Sequence, residues 1–177
     1  MRSTCVTSDQ MTSAVSELHS AASLLAEAGI DSARSDAEWL MAHVLDVDRG
    51  SLAFVDGPDA GERRRFRELV AQRARRIPLQ HIIGRAAFGP VDLAVGPGVF
   101  VPRPETELIL EWAVENLRGI SHPLVADLCS GSGALAIAIA VSVPSARVVA
   151  VEKSPSALLW LRRNVENLGV GDRVAVL

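Results

Sequence analysis

Cysteine is nearly absent from this 177-residue chain: Cys5 and Cys129 are the only two, and they stand far apart. That leaves no disulfide framework and no Cys pair spaced for zinc, and it suits a reducing compartment. Long apolar runs are missing as well. The longest, Ala134 to Val141, falls far short of the ~20 residues that a membrane-spanning helix needs. Met1 to Gln10 are polar, which argues against a secretory leader. Positive charge is not in excess either: the formal net charge of −3 gives no reason to expect direct nucleic-acid binding over the whole surface. His19, His43, His81 and His122 are scattered and offer no metal-ligand cluster, and no repeat or low-complexity tract occurs. What remains is core material. A composition 49% hydrophobic and 22% charged builds a globular chain, and the absences together point to a cytoplasmic, membrane-free protein.

Apolar residues recur at helical spacing through Val15, Leu18, Ala22 and Leu25, with Gly29 placed to stop that helix. Ser35 followed by Glu38 has the spacing of a capping box and predicts a second helix with Ala37, Leu40, Met41, Val44 and Leu45 on its inner face. Phe66, Leu69 and Val70 mark another helix after the turn signal Asp56-Gly57-Pro58. Residues 1–76 therefore read as a small helical domain, and residues 77–105, broken by Gly84, Gly89-Pro90 and Gly96-Pro97-Gly98, as a β-hairpin linker. A helix over Thr106 to Leu117 is expected to turn Leu108, Ile109, Trp112 and Ala113 to a core. Beyond it the pattern alternates: strand 124–128, helix 134–143, strand 147–151, helix 156–168, strand 173–177. Such alternation predicts a parallel, doubly wound α/β sheet, so that residues 106–177 form part of a Rossmann-like domain.

The first of these strands ends in Asp127-Leu128-Cys129-Ser130-Gly131-Ser132-Gly133 and runs directly into an apolar helix. Glycine at 131 and 133 removes Cβ atoms where backbone must approach a ligand, and the helix behind offers free N–H groups. Glu152 ends the next strand, at the place where a carboxylate accepts hydrogen bonds from ribose hydroxyls. The loop by itself is ambiguous, because Gly131-Ser132-Gly133-Ala134-Leu135-Ala136 also fits the dinucleotide pattern. Asp127 weighs toward S-adenosyl-L-methionine: a carboxylate at the strand end suits an ammonium and a sulfonium better than a pyrophosphate.

Upstream, Val99-Phe100-Val101-Pro102-Arg103-Pro104-Glu105-Thr106-Glu107 resembles the Arg-Pro-x-Thr-Glu signature of protein glutamine methyltransferases of the PrmC (HemK) family. Arg76-Ile77-Pro78-Leu79-Gln80-His81-Ile82-Ile83-Gly84 and Phe88-Gly89 are similar to that family's linker, and the glycine loop follows at the expected place. The resemblance implies a Rossmann-like S-adenosylmethionine-dependent methyltransferase behind a helical recognition domain. The implied reaction is methyl transfer to the side-chain nitrogen of the Gly-Gly-Gln glutamine of class-1 peptide chain release factors. It further implies that Asp127 contacts the amino end of the cofactor, that Cys129, Ser130, Gly131, Ser132 and Gly133 line it, and that Glu152 binds its ribose. Phe100, Arg103 and Thr106 would border the cofactor or acceptor pocket, although Phe100 also reads as core and Thr106 as a helix N-cap. Cys129 departs from the family, which has glycine there, and a cysteine takes positive φ less cheaply.

The family orients its amide substrate with an Asn-Pro-Pro-Tyr segment after the fourth strand, using position and electrostatics rather than a metal. No such segment lies between Met1 and Leu177, so no catalytic residue is assigned, and the expectation is a truncated front portion, inactive alone and prone to self-association. The basic run Arg63, Arg64, Arg65, Arg67, Arg73, Arg75 and Arg76 reads either as a solvated face or as a contact for a release factor or ribosomal RNA. Three alternatives stay open: a methyltransferase acting on a nucleic-acid base, an NAD-dependent oxidoreductase, and a non-enzymatic binding module.

Overall fold

The structure is a computed structural model that describes residues 8–177; Cys5 and most of the polar opening lie outside the described residues. The chain divides into two compact units, Met1–Ile83 and Gly84–Leu177.

The first unit holds helices α1 (Ser8–Glu27), α2 (Ala33–Leu45), α3 (Ala60–Ala74) and the short α4 (Leu79–Ile83). Helix α4 stands where the sequence pattern suggested extended chain. Leu18, Leu25, Leu40, Met41, Phe66 and Val70 make the core. On α1 the inward stripe is Leu18, Ala21 and Leu25, and Val15 is exposed. Gly29 ends α1 as expected: its N–H donates to the Ala26 carbonyl and that of Ile30 to Leu25, a Schellman closure made possible by φ +71° at Gly29.

Ser35 does not cap α2, which already begins at Ala33. The two residues of the apparent box have other partners: the Ser35 hydroxyl accepts from Arg49 at 3.0 Å, and Glu38 pairs with Arg34 one turn back at 2.7 Å. The true capping box is on α3, where Asp59 accepts from the Gly61 and Glu62 N–H groups and Glu62 accepts from Asp59. Part of the basic run is structural. Arg67 pairs with Glu17, Arg73 with the buried Asp36 at 2.7 Å, and Arg76 donates to the Ala28 and Gly29 carbonyls, tying α3 and its exit to α1 and α2.

The second unit opens with an antiparallel hairpin, β1 (Arg85–Phe88) and β2 (Val91–Ala94), which turns at Gly89-Pro90. Its alternation buries Ala86, Phe88, Val91 and Leu93 in this unit's core. Helix α5 (Glu107–Leu117) follows, then β3 (Leu124–Leu128), α6 (Ala134–Ser142), β4 (Arg147–Val151), α7 (Pro155–Asn167) and β5 (Val174–Val176). The three later strands are parallel in the order β3-β4-β5, each joined to the next through a helix, which is the start of a Rossmann-like α/β sheet. Ile137 and Leu161, fully buried from α6 and α7, pack with Val148 and Leu93.

Helix α5 buries Ala113 as expected but otherwise a different stripe. Leu110 and Ala113 are inside, with Val114 and Leu117 packed beside them, whereas Leu108, Ile109 and Trp112 are exposed. Both sets recur at helical spacing, so periodicity could not choose between them. Thr106 does not cap this helix. It ends a 3-10 turn over Pro104–Thr106, already has helical backbone angles, and its side chain makes no capping bond. On β3, Leu124 and Leu128 are exposed, and this strand is at one edge of the three-stranded sheet among the described residues.

Candidate cofactor site

The loop between β3 and α6 is held by bonds that start from its own residues. Ser130 is buried, its N–H donates to the Val151 carbonyl at 3.0 Å, and its hydroxyl donates to the Asp127 carbonyl at 2.9 Å. The loop is thereby fastened to the ends of both β3 and β4. The Gly133 N–H donates back to the Ser130 carbonyl at 2.8 Å, and the Gly133 carbonyl accepts from Ile137 to begin α6. Three residues in this loop have positive φ: Cys129 at 65°, Gly131 at 57° and Gly133 at 85°.

The two glycines differ in purpose. A Cβ on Gly131 would meet nothing within 4 Å, so its bare backbone faces open space. A Cβ on Gly133 would lie 2.4 Å from Leu161 and 2.9 Å from Ile137, so that glycine is required by packing of α6 on α7. Ser132 beside it is buried. Cys129 is an exposed free thiol.

Two carboxylates flank the loop and their environments are opposite. Glu152, directly after β4, accepts the Gly131 N–H at 2.8 Å through one oxygen and the Ser154 N–H at 2.8 Å through the other. The Ser154 N–H above all, helped by those of Gly131 and Lys153, holds its carboxyl below the usual range against the opposing effect of burial. Asp127, half-buried at the end of β3, accepts the Ala136 N–H at 3.2 Å. Burial pushes its carboxyl up; the Ser130 and Ala136 donors only partly offset that, and the charge of Glu152 adds to it. The site therefore pairs a carboxylate held below its usual range with one pushed above it that has no ion pair among the described residues.

Residues 17–84 match the family described as PrmC N-terminal domain, and residues 94–177 match the one described as Conserved hypothetical protein 95. The release factor glutamine methyltransferase of Mycolicibacterium smegmatis is 53% identical over 160 residues, 90% of this chain and 57% of that protein. That of Streptomyces coelicolor is 51% identical over 154 residues, covering 86% of this chain and 54% of the relative. In Geobacter sulfurreducens the figure is 43% over 148 residues, with 82% and 51% covered. The chain belongs to the PrmC family. It spans about half the length of the curated relatives it matches. Among solved structures, an S-adenosylmethionine-dependent methyltransferase from Agrobacterium tumefaciens is similar with a TM-score of 0.43 and 21% identity over 52% of this chain and 31% of that one. The fold assignment rests on the strand order above, not on that likeness.

Within this PrmC-family chain, Asp127, residues 129–133 and Glu152 come together around one loop. Phe100 and Arg103 form an exposed pair of their own, the guanidinium stacked over the ring at 5.0 Å, and Phe100 is not core. No hydrogen bond or ion pair links the Phe100, Arg103 or Thr106 side chains to the loop among the described residues. One residue of the second unit escaped sequence reasoning: Asn164 on α7, 1% exposed, donates to the Ser132 carbonyl at 2.9 Å. A lone asparagine on an amphipathic helix carries no spacing signal that distinguishes it from a solvated one.

Proposed function

We propose that this chain carries the S-adenosyl-L-methionine-binding portion of a methyltransferase acting on the glutamine side chain of class-1 peptide chain release factors. The observation that carries the reading is the pairing of opposite carboxylates at one glycine loop. Asp127 is an acid whose burial is offset by no ion pair among the described residues, and an ammonium placed there favours its charged form. Glu152 is ionised and has lone pairs left over after its two backbone bonds, which suits a pair of ribose hydroxyls. The open side of Gly131 leaves room for the ligand to approach backbone. The donor set thus fits the cofactor, with Asp127 at its amino end, Glu152 at its ribose and residues 129–133 along it. When bound, the cofactor supplies an electrophilic methyl group on a positively charged sulfur. A pyrophosphate fits poorly, because the Asp127 carboxylate would face it.

On this reading the chain's own residues bind and orient the donor, and the exposed Phe100–Arg103 pair borders the acceptor side. An amide nitrogen is a weak nucleophile, so positioning is where such an enzyme gains most of its rate. The test is calorimetric titration of the 177-residue chain with S-adenosylhomocysteine and, separately, with NAD. Binding of the first and not the second is expected; preference for NAD, or no binding of either, sinks the reading.

A further inference from the structure

Helix α7 presents three polar side chains one turn apart, Ser156, Trp160 and Asn164, and all three bind the chain that leaves the hairpin. The Ser156 hydroxyl donates to the Gly98 carbonyl at 3.0 Å and the Trp160 indole N–H to that of Pro97 at 3.1 Å. Asn164 grips Ala94 twice, its Oδ1 accepting the N–H at 2.8 Å and its Nδ2 donating to the carbonyl at 3.0 Å, as a neighbouring strand would. Close approach requires glycine: a Cβ on Gly96 would lie 2.5 Å from Trp160, and one on Gly98 2.7 Å from Ser156.

Anchoring β2 uses one N–H of the Asn164 carboxamide; the other goes to the Ser132 carbonyl. That carbonyl belongs to the Ser132–Gly133 peptide, whose N–H is bonded to the Ser130 carbonyl at 2.8 Å. Asn164 and Ser130 thus hold the two ends of the one peptide unit that turns the loop into α6. Buried amide groups left half-bonded are costly, so the arrangement is tightly determined.

We infer that Asn164 is a positioning residue: it fixes the Ser132–Gly133 peptide against β2, and so ties the cofactor loop to the segment that runs on to Phe100 and Arg103. This rests on the cofactor reading given above. It touches no cofactor atom itself, and its effect is on the orientation of the loop backbone.

The test compares Asn164→Ala and the milder Asn164→Ser with Val165→Ala, a neighbouring buried residue that makes only apolar contacts. Amide hydrogen exchange at Ser130, Gly131 and Gly133 is measured without ligand in the 177-residue chain, and S-adenosylhomocysteine affinity is measured under conditions where each variant is folded. Asn164→Ser is expected to speed exchange at these amides and to weaken binding, each by about tenfold, as loss of a buried bond predicts. Val165→Ala is expected to lower Tm while leaving both unchanged. Equal effects of the Asn164 and Val165 variants, unchanged exchange in Asn164→Ser, or faster exchange with unchanged affinity would each overturn the inference. If the parent chain binds no S-adenosylhomocysteine, the cofactor reading fails, and the exchange comparison still decides whether Asn164 orders the loop.

Discussion

The Glu152 carboxylate accepts the Gly131 N–H at 2.8 Å, so an acid at the end of β4 and a glycine 21 residues earlier share one hydrogen bond at the mouth of the loop. Glu152 orders the loop, and on the proposed reading it also accepts from a ligand. Glu152→Ala is expected to weaken S-adenosylhomocysteine binding by ~1.5–3 kcal/mol, the range for hydrogen bonds to a charged group. Glu152→Gln, which keeps one acceptor, should fall between it and the parent. Unchanged affinity on titration of either variant would remove Glu152 from the cofactor site.

The two carboxylates predict opposite pH behaviour. Glu152 has a depressed pKa, so its contribution to stability is present above the unfolded value of ~4.3 and is lost as the pH falls through the lower folded value. Asp127 has a raised pKa, so its ionisation is penalised in the fold: the penalty begins as the pH rises past ~3.9 and is complete above the raised value. Asp127→Asn should therefore raise the Tm of the unliganded chain at pH 7. The gain should stay below ~1 kcal/mol, since solvent screens a half-buried group, or roughly 2–4 °C at most. The same variant should bind S-adenosylhomocysteine less well. Thermal denaturation between pH 3 and pH 7 checks both; a lowered Tm with binding intact would contradict the assignment.

Much of this was legible in the sequence because it is carried by local pattern. The strands ending at Leu128 and Val151, and with them the placement of Asp127 and Glu152, follow from apolar runs that abut glycine and charge. The left-handed backbone at Cys129 is hinted at only by the resemblance, which implies glycine at that position. What escaped depends on three-dimensional choice. Helix α5 has two apolar stripes, and only packing decides that Leu110 rather than Ile109 is inside. Ser35 and Asp59 both have a Glu three residues on, and only the surroundings direct Glu38 to Arg34 and leave Glu62 free to close its box. Asn164 bonds to residues 70 and 32 positions away, a relation that no window reveals.

The two loop glycines should separate fold from binding. Gly133→Ala places a methyl group against Leu161 and Ile137 in a close-packed core, and a loss of about 1–3 kcal/mol from overpacking is expected on top of the left-handed backbone penalty of about 1–2 kcal/mol that both glycine positions share. Gly131→Ala meets open space and should cost only the left-handed backbone penalty of about 1–2 kcal/mol, while obstructing the ligand. Chemical denaturation and titration of both variants measure the difference. Equal stability losses together with parental affinity for Gly131→Ala would refute the division of labour.

Exposed apolar side chains on the second unit give a prediction about solution behaviour. Leu124 and Leu128 on the edge strand β3, and Leu108, Ile109 and Trp112 on α5, are all more than half exposed. An uncovered apolar edge recruits another chain, so the 177-residue chain should self-associate with rising concentration. Leu124→Lys combined with Leu128→Lys should restore the monomer mass in light scattering. A parent that stays monomeric at high concentration would show that this surface is not adhesive.

Cys129 supplies the last prediction. Its φ of 65° puts an L side chain in the left-handed region, where contact between Cβ and the carbonyl oxygen costs roughly 1–2 kcal/mol. Replacing it by glycine removes that cost but adds backbone entropy to the unfolded chain, worth roughly 0.5–1 kcal/mol in the opposite sense. Cys129→Gly should therefore be neutral to stabilising by up to ~1.5 kcal/mol, raising Tm by as much as ~3–6 °C in a chain of this size. Since the thiol is exposed, no buried contact is lost in the exchange. The control is Cys129→Ala, which removes sulfur yet keeps Cβ in the same strained conformation and should not gain stability. If alanine stabilises as much as glycine, the thiol rather than the backbone is the source of the effect. If glycine destabilises clearly, the left-handed turn at 129 is not a strain on this loop.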